Sequence, residues 1–153
     1  MKEIQLTQGK VALVDDEDFE WLNQWRWLYV SVGYAARMSG TEKRKMIYMH
    51  TMILNTPKGM EGDHINADKL DNRRLNLRNC SHAENNQNNR LRSNNTSGYK
   101  GVSRTKSGLK WRAYIKYNYK RKHLGEFDNI EDAARAYDAE AIKLFGEFAH
   151  SNF

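Results

Sequence analysis

Apolar positions along this chain follow several different rhythms. Near the N-terminus Ile4 and Leu6 alternate with polar residues, Gln8-Gly9 offers a turn, and Val11 and Leu13 predict a second strand. Asp15 or Asp16 can then cap a short helix that carries Phe19 and Leu22 inward. Residues 27–32 (WLYVSV) and 46–49 (MIYM) read as two further strands, separated by a polar, Gly-containing loop at 39–45. After Pro57 a loop and strand lead to Asp63-His64, and Asn66–Asp68 turn the chain back. Leu70, Leu75 and Leu77 supply apolar anchors there. Ser81-His82-Ala83-Glu84 is a capping box, so a helix begins at 82. Asn85 then lies in its first turn, facing back toward the loop that carries Asp63, with Asn89 one turn further on the same face.

The second half opens after residues 91–97 (LRSNNTS), which lack periodicity and mark a linker. From Lys110 to Lys116 the alternation is strict. Trp111, Ala113 and Ile115 share one face; Lys110, Arg112, Tyr114 and Lys116 share the other. Neighbouring strands are expected around 99–104 and 122–127. A helix follows, with Asn129 as cap, Ala133, Ala134, Tyr137, Ala141 and Leu144 inward, and Gly146 at its end. Its small alanines let it lie close over the Trp111/Ile115 face and leave the basic, aromatic face open. The fold class is therefore α+β, with one region over 1–92 and a second over 93–153.

Charge sharpens the division. The 153 residues carry a net charge of +6, but from Ser93 to Gly125 there are nine Lys/Arg and no acid. That stretch suits a polyanionic partner. The acidic run Asp15–Asp18 reads as a helix N-terminus that suits the dipole, not a metal site. Trp21, Trp25 and Trp27 read as packing for a small core, not a base-stacking platform. The single Cys80 excludes an intrachain disulfide and any multi-cysteine zinc site. No apolar run has the length of a membrane span, and residues 1–10 lack the pattern of a signal peptide, so a cytoplasmic protein is expected.

The chemistry centres on Asp63-His64, with Asn76 twelve positions after the histidine and Asn85 nine after that. A carboxylate can hold a hard cation while the adjacent neutral imidazole takes a proton from water, the pairing used in metal-assisted phosphodiester hydrolysis. DHIN, LDNRR, NLR and HAEN together resemble the HNH (ββα-metal) nuclease module, core 50–90, in the variant whose final metal-binding histidine is asparagine. The resemblance implies Asp63 and Asn85 as ligands of Mg²⁺ or Mn²⁺, His64 as general base and Asn76 as the side chain that orients the histidine loop. His50 resembles a recurrent histidine ahead of the core and is a further catalytic candidate. His82 reads as an exposed first-turn residue. Asparagine is a poor helix former, so its abundance from 85 to 89 is unexpected in a purely structural helix, and a solvated surface is the lesser reading for Asn86, Asn88 and Asn89.

SGYKGV, KWRAYI, HLGEF, EDAARAYDAEA and FAHSNF resemble the AP2 DNA-binding domain, a three-stranded antiparallel sheet packed on one helix. That resemblance implies double-stranded DNA as partner. The sequence that is read does not carry over; Arg112 and Arg121 are the candidates for base edges, and Lys100, Arg104, Lys116 and Lys122 for phosphates. Ser103, Tyr114 and His123 stand on the same face, with Ser103 and His123 where plant members carry Arg and Trp. Arg90 and Arg92 could brace the backbone. The two resemblances imply a DNA endonuclease of the homing or phage mobile-element type with no organic cofactor. One site per chain implies nicking, and a double-strand break would need a homodimer or a second event. The alternatives are a DNA-binding regulator that keeps a degenerate HNH scaffold, and an RNA-directed nuclease.

Overall fold

The computed structural model describes all residues except 41–43, 89–90, 92–93 and 119. The expectations for Asn89, Arg90, Arg92 and the middle of the 39–45 loop lie outside the described residues. The chain forms two compact units, Met1–Asn85 and Asn86–Phe153. Both combine helices with antiparallel sheets, an α+β architecture. Among the described residues no helix is long and apolar enough to cross a membrane.

The first unit opens with the antiparallel pair β1 (Lys2–Gln5) and β2 (Val11–Val14), joined through a turn in which Gln8 and Gly9 take φ of 63° and 65°. Ala12 and Val14 are the buried positions of β2, not Val11 and Leu13. Leu13 serves through its backbone instead: its N–H donates to Leu70 O and its carbonyl accepts from Asn72 N, each at 2.8 Å. Helix α1 (Asp16–Asn23) buries Leu22, against which Trp27 closes with a 2.8 Å bond from Nε1 to Leu22 O. Trp21, Trp25 and Trp27 form an edge-to-face ladder and pack on this core, as their spacing suggests.

The strand expected over 27–32 is shorter. β3 is only Leu28–Tyr29, and a turn through Gly33 leads into β4 (Ala35–Met38), which the alternation did not reveal because Ala35 and Ala36 are both buried. β5 (Met46–Tyr48) pairs with β4, and at Met49 the chain becomes a helix, α2 (Met49–Leu54), instead of continuing the strand. Six residues are too few for a helical period to show in sequence. α2 buries Met49, His50 and Ile53.

β6 (Glu61–His64) and β7 (Leu77–Cys80) form a hairpin, and α3 (His82–Gln87) follows. Both halves of the capping box are present: Ser81 N donates to Glu84 Oε2 at 2.7 Å and Glu84 N to Ser81 Oγ at 3.3 Å. Leu77 is buried and Leu70 packs on the core, but Leu75 is 96% exposed and anchors nothing. It sits on a 3₁₀ turn, 74–76, whose inward residue is Asn76.

In the second unit β8 (Val102–Arg104), β9 (Trp111–Tyr117) and β10 (Lys120–Phe127) form an antiparallel sheet in the order β10-β9-β8. Helix α4 (Ile130–Phe145) covers one face, with Val102, Ala113 and Ile115 of the sheet and Ala133, Ala134, Tyr137 and Ala141 of the helix buried in the two clusters between them. Asn129 caps the helix through Oδ1, which accepts from Glu131 N at 2.8 Å. Gly101 is required twice over: its φ is +73°, and an added Cβ would lie 2.1 Å from the Tyr137 ring.

Candidate active site and nucleic-acid interface

Asp63 and His64 end β6, so strand alternation sends their side chains to opposite faces. Asp63 is buried opposite Arg78, whose Nε donates to Asp63 Oδ2 at 2.9 Å. His64 Nε2 lies 3.3 Å from Asn72 Oδ1, and both side chains are buried. Asn72 Nδ2 donates to Leu70 O at 3.1 Å, which leaves Oδ1 facing the imidazole as an acceptor. Nε2 therefore carries the hydrogen, and Nδ1 is the basic nitrogen. Burial pulls the His64 pKa below the ordinary histidine value, against the opposing effects of Asn72 and the nearby carboxylates Asp63, Asp68 and Asp71.

Asn76 holds the loop after His64. Its Oδ1 accepts from Asn66 N at 3.0 Å and its Nδ2 donates to Asp71 O at 2.7 Å. Ile65 N adds a bond to Asn76 O at 2.8 Å. Nothing local in LDNRR marks Asn72 for a role; the contact that reveals it comes from the folded loop.

His50, on α2, packs against the His64 ring with centroids 4.8 Å apart and also lies against Tyr34 and Tyr48. Burial drives its pKa down to about 3, with His64 adding to the shift. Gly62 makes room for it, because a Cβ there would lie 2.6 Å from His50 Cδ2. His50 is thus a neutral wall of the pocket that holds the His64 ring.

Asn85 faces back to β6, but its direct partner is Glu61. Asn85 Nδ2 donates to Glu61 Oε2 at 2.6 Å, and His82 Nδ1 lies 2.7 Å from Glu61 Oε1. Asn85 and His82 hold the Glu61 carboxyl below its usual range. Glu61 was missed, although period-two alternation puts it on the face of Asp63. His82 is exposed as expected, yet it is tied to this carboxylate. Asn88 is buried and not part of a solvated surface. Among the described residues no three His, Cys, Asp or Glu side chains form a group able to hold a metal ion. The donor set on offer is smaller, one carboxylate and one amide. Its hard oxygens have the chemistry that Mg²⁺ or Mn²⁺ takes.

On the second unit the open sheet face carries a shallow concavity lined by Ser103, Arg112, Tyr114, Arg121, His123 and Glu126. Ser103 and Glu126 flank Arg112 across the sheet, His123 stands opposite Tyr114, and Arg121 opposite Lys116. Arg112 pairs with Glu126 at 3.0 Å, and Arg121 stacks over the Tyr114 ring. Arg104 stacks on Trp111 and donates to Gly108 O. Two expected phosphate contacts are engaged elsewhere. Lys122 Nζ bonds Glu140 of α4 at 2.7 Å, so it reaches toward the helix. Lys100 Nζ donates to Gln87 O at 2.7 Å, and burial lowers its pKa to about 8.

A hairpin-and-helix unit bearing Asp63, His64 and Asn85, and a basic sheet on one helix, define the class: a nuclease module joined to a nucleic-acid-binding module. Residues 55–87 match the HNH endonuclease family, and residues 97–147 match the AP2 domain family. The chain belongs to the HNH endonucleases and carries an AP2 domain. It is 26% identical over 147 residues to an uncharacterized HNH endonuclease of Acanthamoeba polyphaga mimivirus, covering 95% of this chain and 76% of that protein. Protein 3.8 of Escherichia phage T7 is 34% identical over 93 residues, 61% of this chain and 76% of its own. An ethylene-responsive transcription factor of Arabidopsis thaliana is 47% identical over 60 residues, 38% of this chain but only 23% of the plant protein. The two domains together support a DNA endonuclease.

Proposed function

We propose that this protein is a divalent-metal-dependent DNA endonuclease of the homing or phage mobile-element type, which cuts one strand per active site. The observation that carries the reading is the His64–Asn72 bond beside Asp63. It keeps a neutral imidazole in one tautomer, with Nδ1 free of the ring proton. His64 Nδ1 takes a proton from the attacking water. Asn72 sets the ring, Asn76 sets the loop behind it, and His50 excludes water from one side. Asp63 and Asn85 would hold Mg²⁺ or Mn²⁺. When bound, the ion would supply electrostatic stabilisation of the charge that develops on the scissile phosphate and its leaving oxygen.

Residues 93–153 dock double-stranded DNA through the open sheet face. Arg112 and Arg121 are the base-reading candidates, with Ser103, Tyr114 and His123 beside them and Lys116 on phosphate. Arg112 would exchange Glu126 for a base edge. Two copies, or two successive events, would be needed for a double-strand break. The test is supercoiled plasmid incubated with the protein in Mg²⁺, in Mn²⁺ and in chelator. Open-circular product that needs the ion and is lost in His64→Ala supports the reading. Full DNA binding without conversion in either ion would leave a DNA-binding regulator on an inactive scaffold.

A further inference from the structure

Asparagine is an awkward metal ligand. Its two ends have nearly the same shape, yet only Oδ1 can ligate a cation, whereas Nδ2 repels it. Something must choose the end. Asn85 Nδ2 donates to Glu61 Oε2 at 2.6 Å, and the other carboxylate oxygen is held by His82 at 2.7 Å. The capping box fixes the start of α3, and Asn85 N donates to Ser81 O at 3.0 Å, so the backbone under this side chain is set as well. An ionised carboxylate accepts and never donates. It therefore bonds the amide nitrogen in one sense only. Among the described residues Asn85 Oδ1 has no hydrogen-bond partner.

We infer that Glu61 is a positioning residue: by holding Asn85 Nδ2 it fixes the amide so that Oδ1 is the end presented as ligand. This rests on the reading of Asp63 and Asn85 as the metal ligands. The role parallels that of the carboxylates that orient histidine ligands elsewhere, whose loss weakens metal binding by about 10–100-fold. Here it lets an asparagine act as an oxygen donor of one defined orientation.

The test uses the full chain and Mn²⁺ alone, followed by loss of the free-ion electron paramagnetic resonance signal, with thermal unfolding of each variant alongside. Glu61→Gln keeps the shape but can donate as well as accept, so it should weaken Mn²⁺ binding by about 10-fold or more with little change in unfolding temperature. In an Asn85→Asp background both ends of residue 85 are oxygens, and the same Glu61→Gln change should no longer weaken binding. Equal weakening in both backgrounds would overturn the inference and make Glu61 a ligand itself. No weakening by Glu61→Gln, where Asn85→Ala does weaken binding, would overturn it while leaving the ligand reading intact. If Asn85→Ala changes nothing, the ligand reading fails, and this inference with it. A measurement on the unmodified, metal-free protein adds an independent check. The Asn85 side-chain NH₂ resonance should exchange with water more slowly than exposed amides, and exchange at the exposed rate would also overturn the inference.

Discussion

Asn72 accepts the Nε2 proton of His64 at 3.3 Å and is itself held by Leu70 O. The imidazole is thereby fixed in one tautomer before any substrate arrives. Asn72→Leu should lower the cleavage rate by about 10-fold or more while DNA affinity stays near that of the unmodified protein. His64→Ala should cost on the order of 10²–10⁴ in rate. Single-turnover cleavage beside filter binding separates the two effects. An unchanged rate in Asn72→Leu would mean that the ring is set by something else.

Arg74 and Asp18 test how the N-terminal helix braces the active-site loop. Asp18 is 1% exposed and accepts from Arg74 Nε and Nη2 at 2.8 and 2.7 Å, and from Trp21 Nε1 at 3.0 Å. The backbone N–H of Arg74 also donates to Asp15 Oδ2 at 2.8 Å. Arg74→Met leaves a buried carboxylate with one neutral partner and should cost about 3 kcal/mol, the low end for a broken buried pair because Arg74 is half exposed. Urea denaturation measures it. The double variant Arg74→Met/Asp18→Leu should lose less than the two single losses added together.

His50 predicts an acid response. Its pKa falls from 6.5 to about 3 in the folded chain. Between those values the unfolded chain binds a proton that the native chain refuses, so stability drops as pH falls below about 6.5 and levels off below about 3. Between pH 7 and pH 4 this site should contribute a loss on the order of 3 kcal/mol. Denaturation of the unmodified protein and of His50→Leu at both values isolates it. Equal acid losses would place the sensitivity elsewhere.

On the sheet face, Lys116→Ala should weaken binding to all duplexes alike and reduce the salt slope by about 1. Arg121→Ala should cost about 1–3 kcal/mol on the preferred sequence and relax its choice, if the guanidinium leaves Tyr114 for a base edge. Binding to specific and random duplexes across several salt concentrations distinguishes them. The same salt slope in Lys116→Ala as in the unmodified protein would remove that lysine from the phosphate path.

What the sequence determined by itself is whatever local rules enforce. Ser81 and Glu84 close their capping box because both partners lie within one helical turn. Residues 110–116 alternate as a half-buried strand must, and Ala113 and Ile115 are buried accordingly. The Asp63-His64 pair and Asn85 stand out in the sequence through the resemblance of their spacing to the HNH module, and the hairpin with its following helix is local enough to keep that spacing. Longer-range pairing decided the rest. Leu75 faces outward because Asn76 takes the inward place on its turn. Arg74 finds Asp18 56 residues away, Asn85 finds Glu61 24 away, and His50 meets His64 through a helix too short to announce itself. Periodicity and capping act over one or two turns. Which distant side chain satisfies a buried carboxylate, or which nitrogen of a histidine keeps its proton, depends on neighbours that only the folded chain brings together.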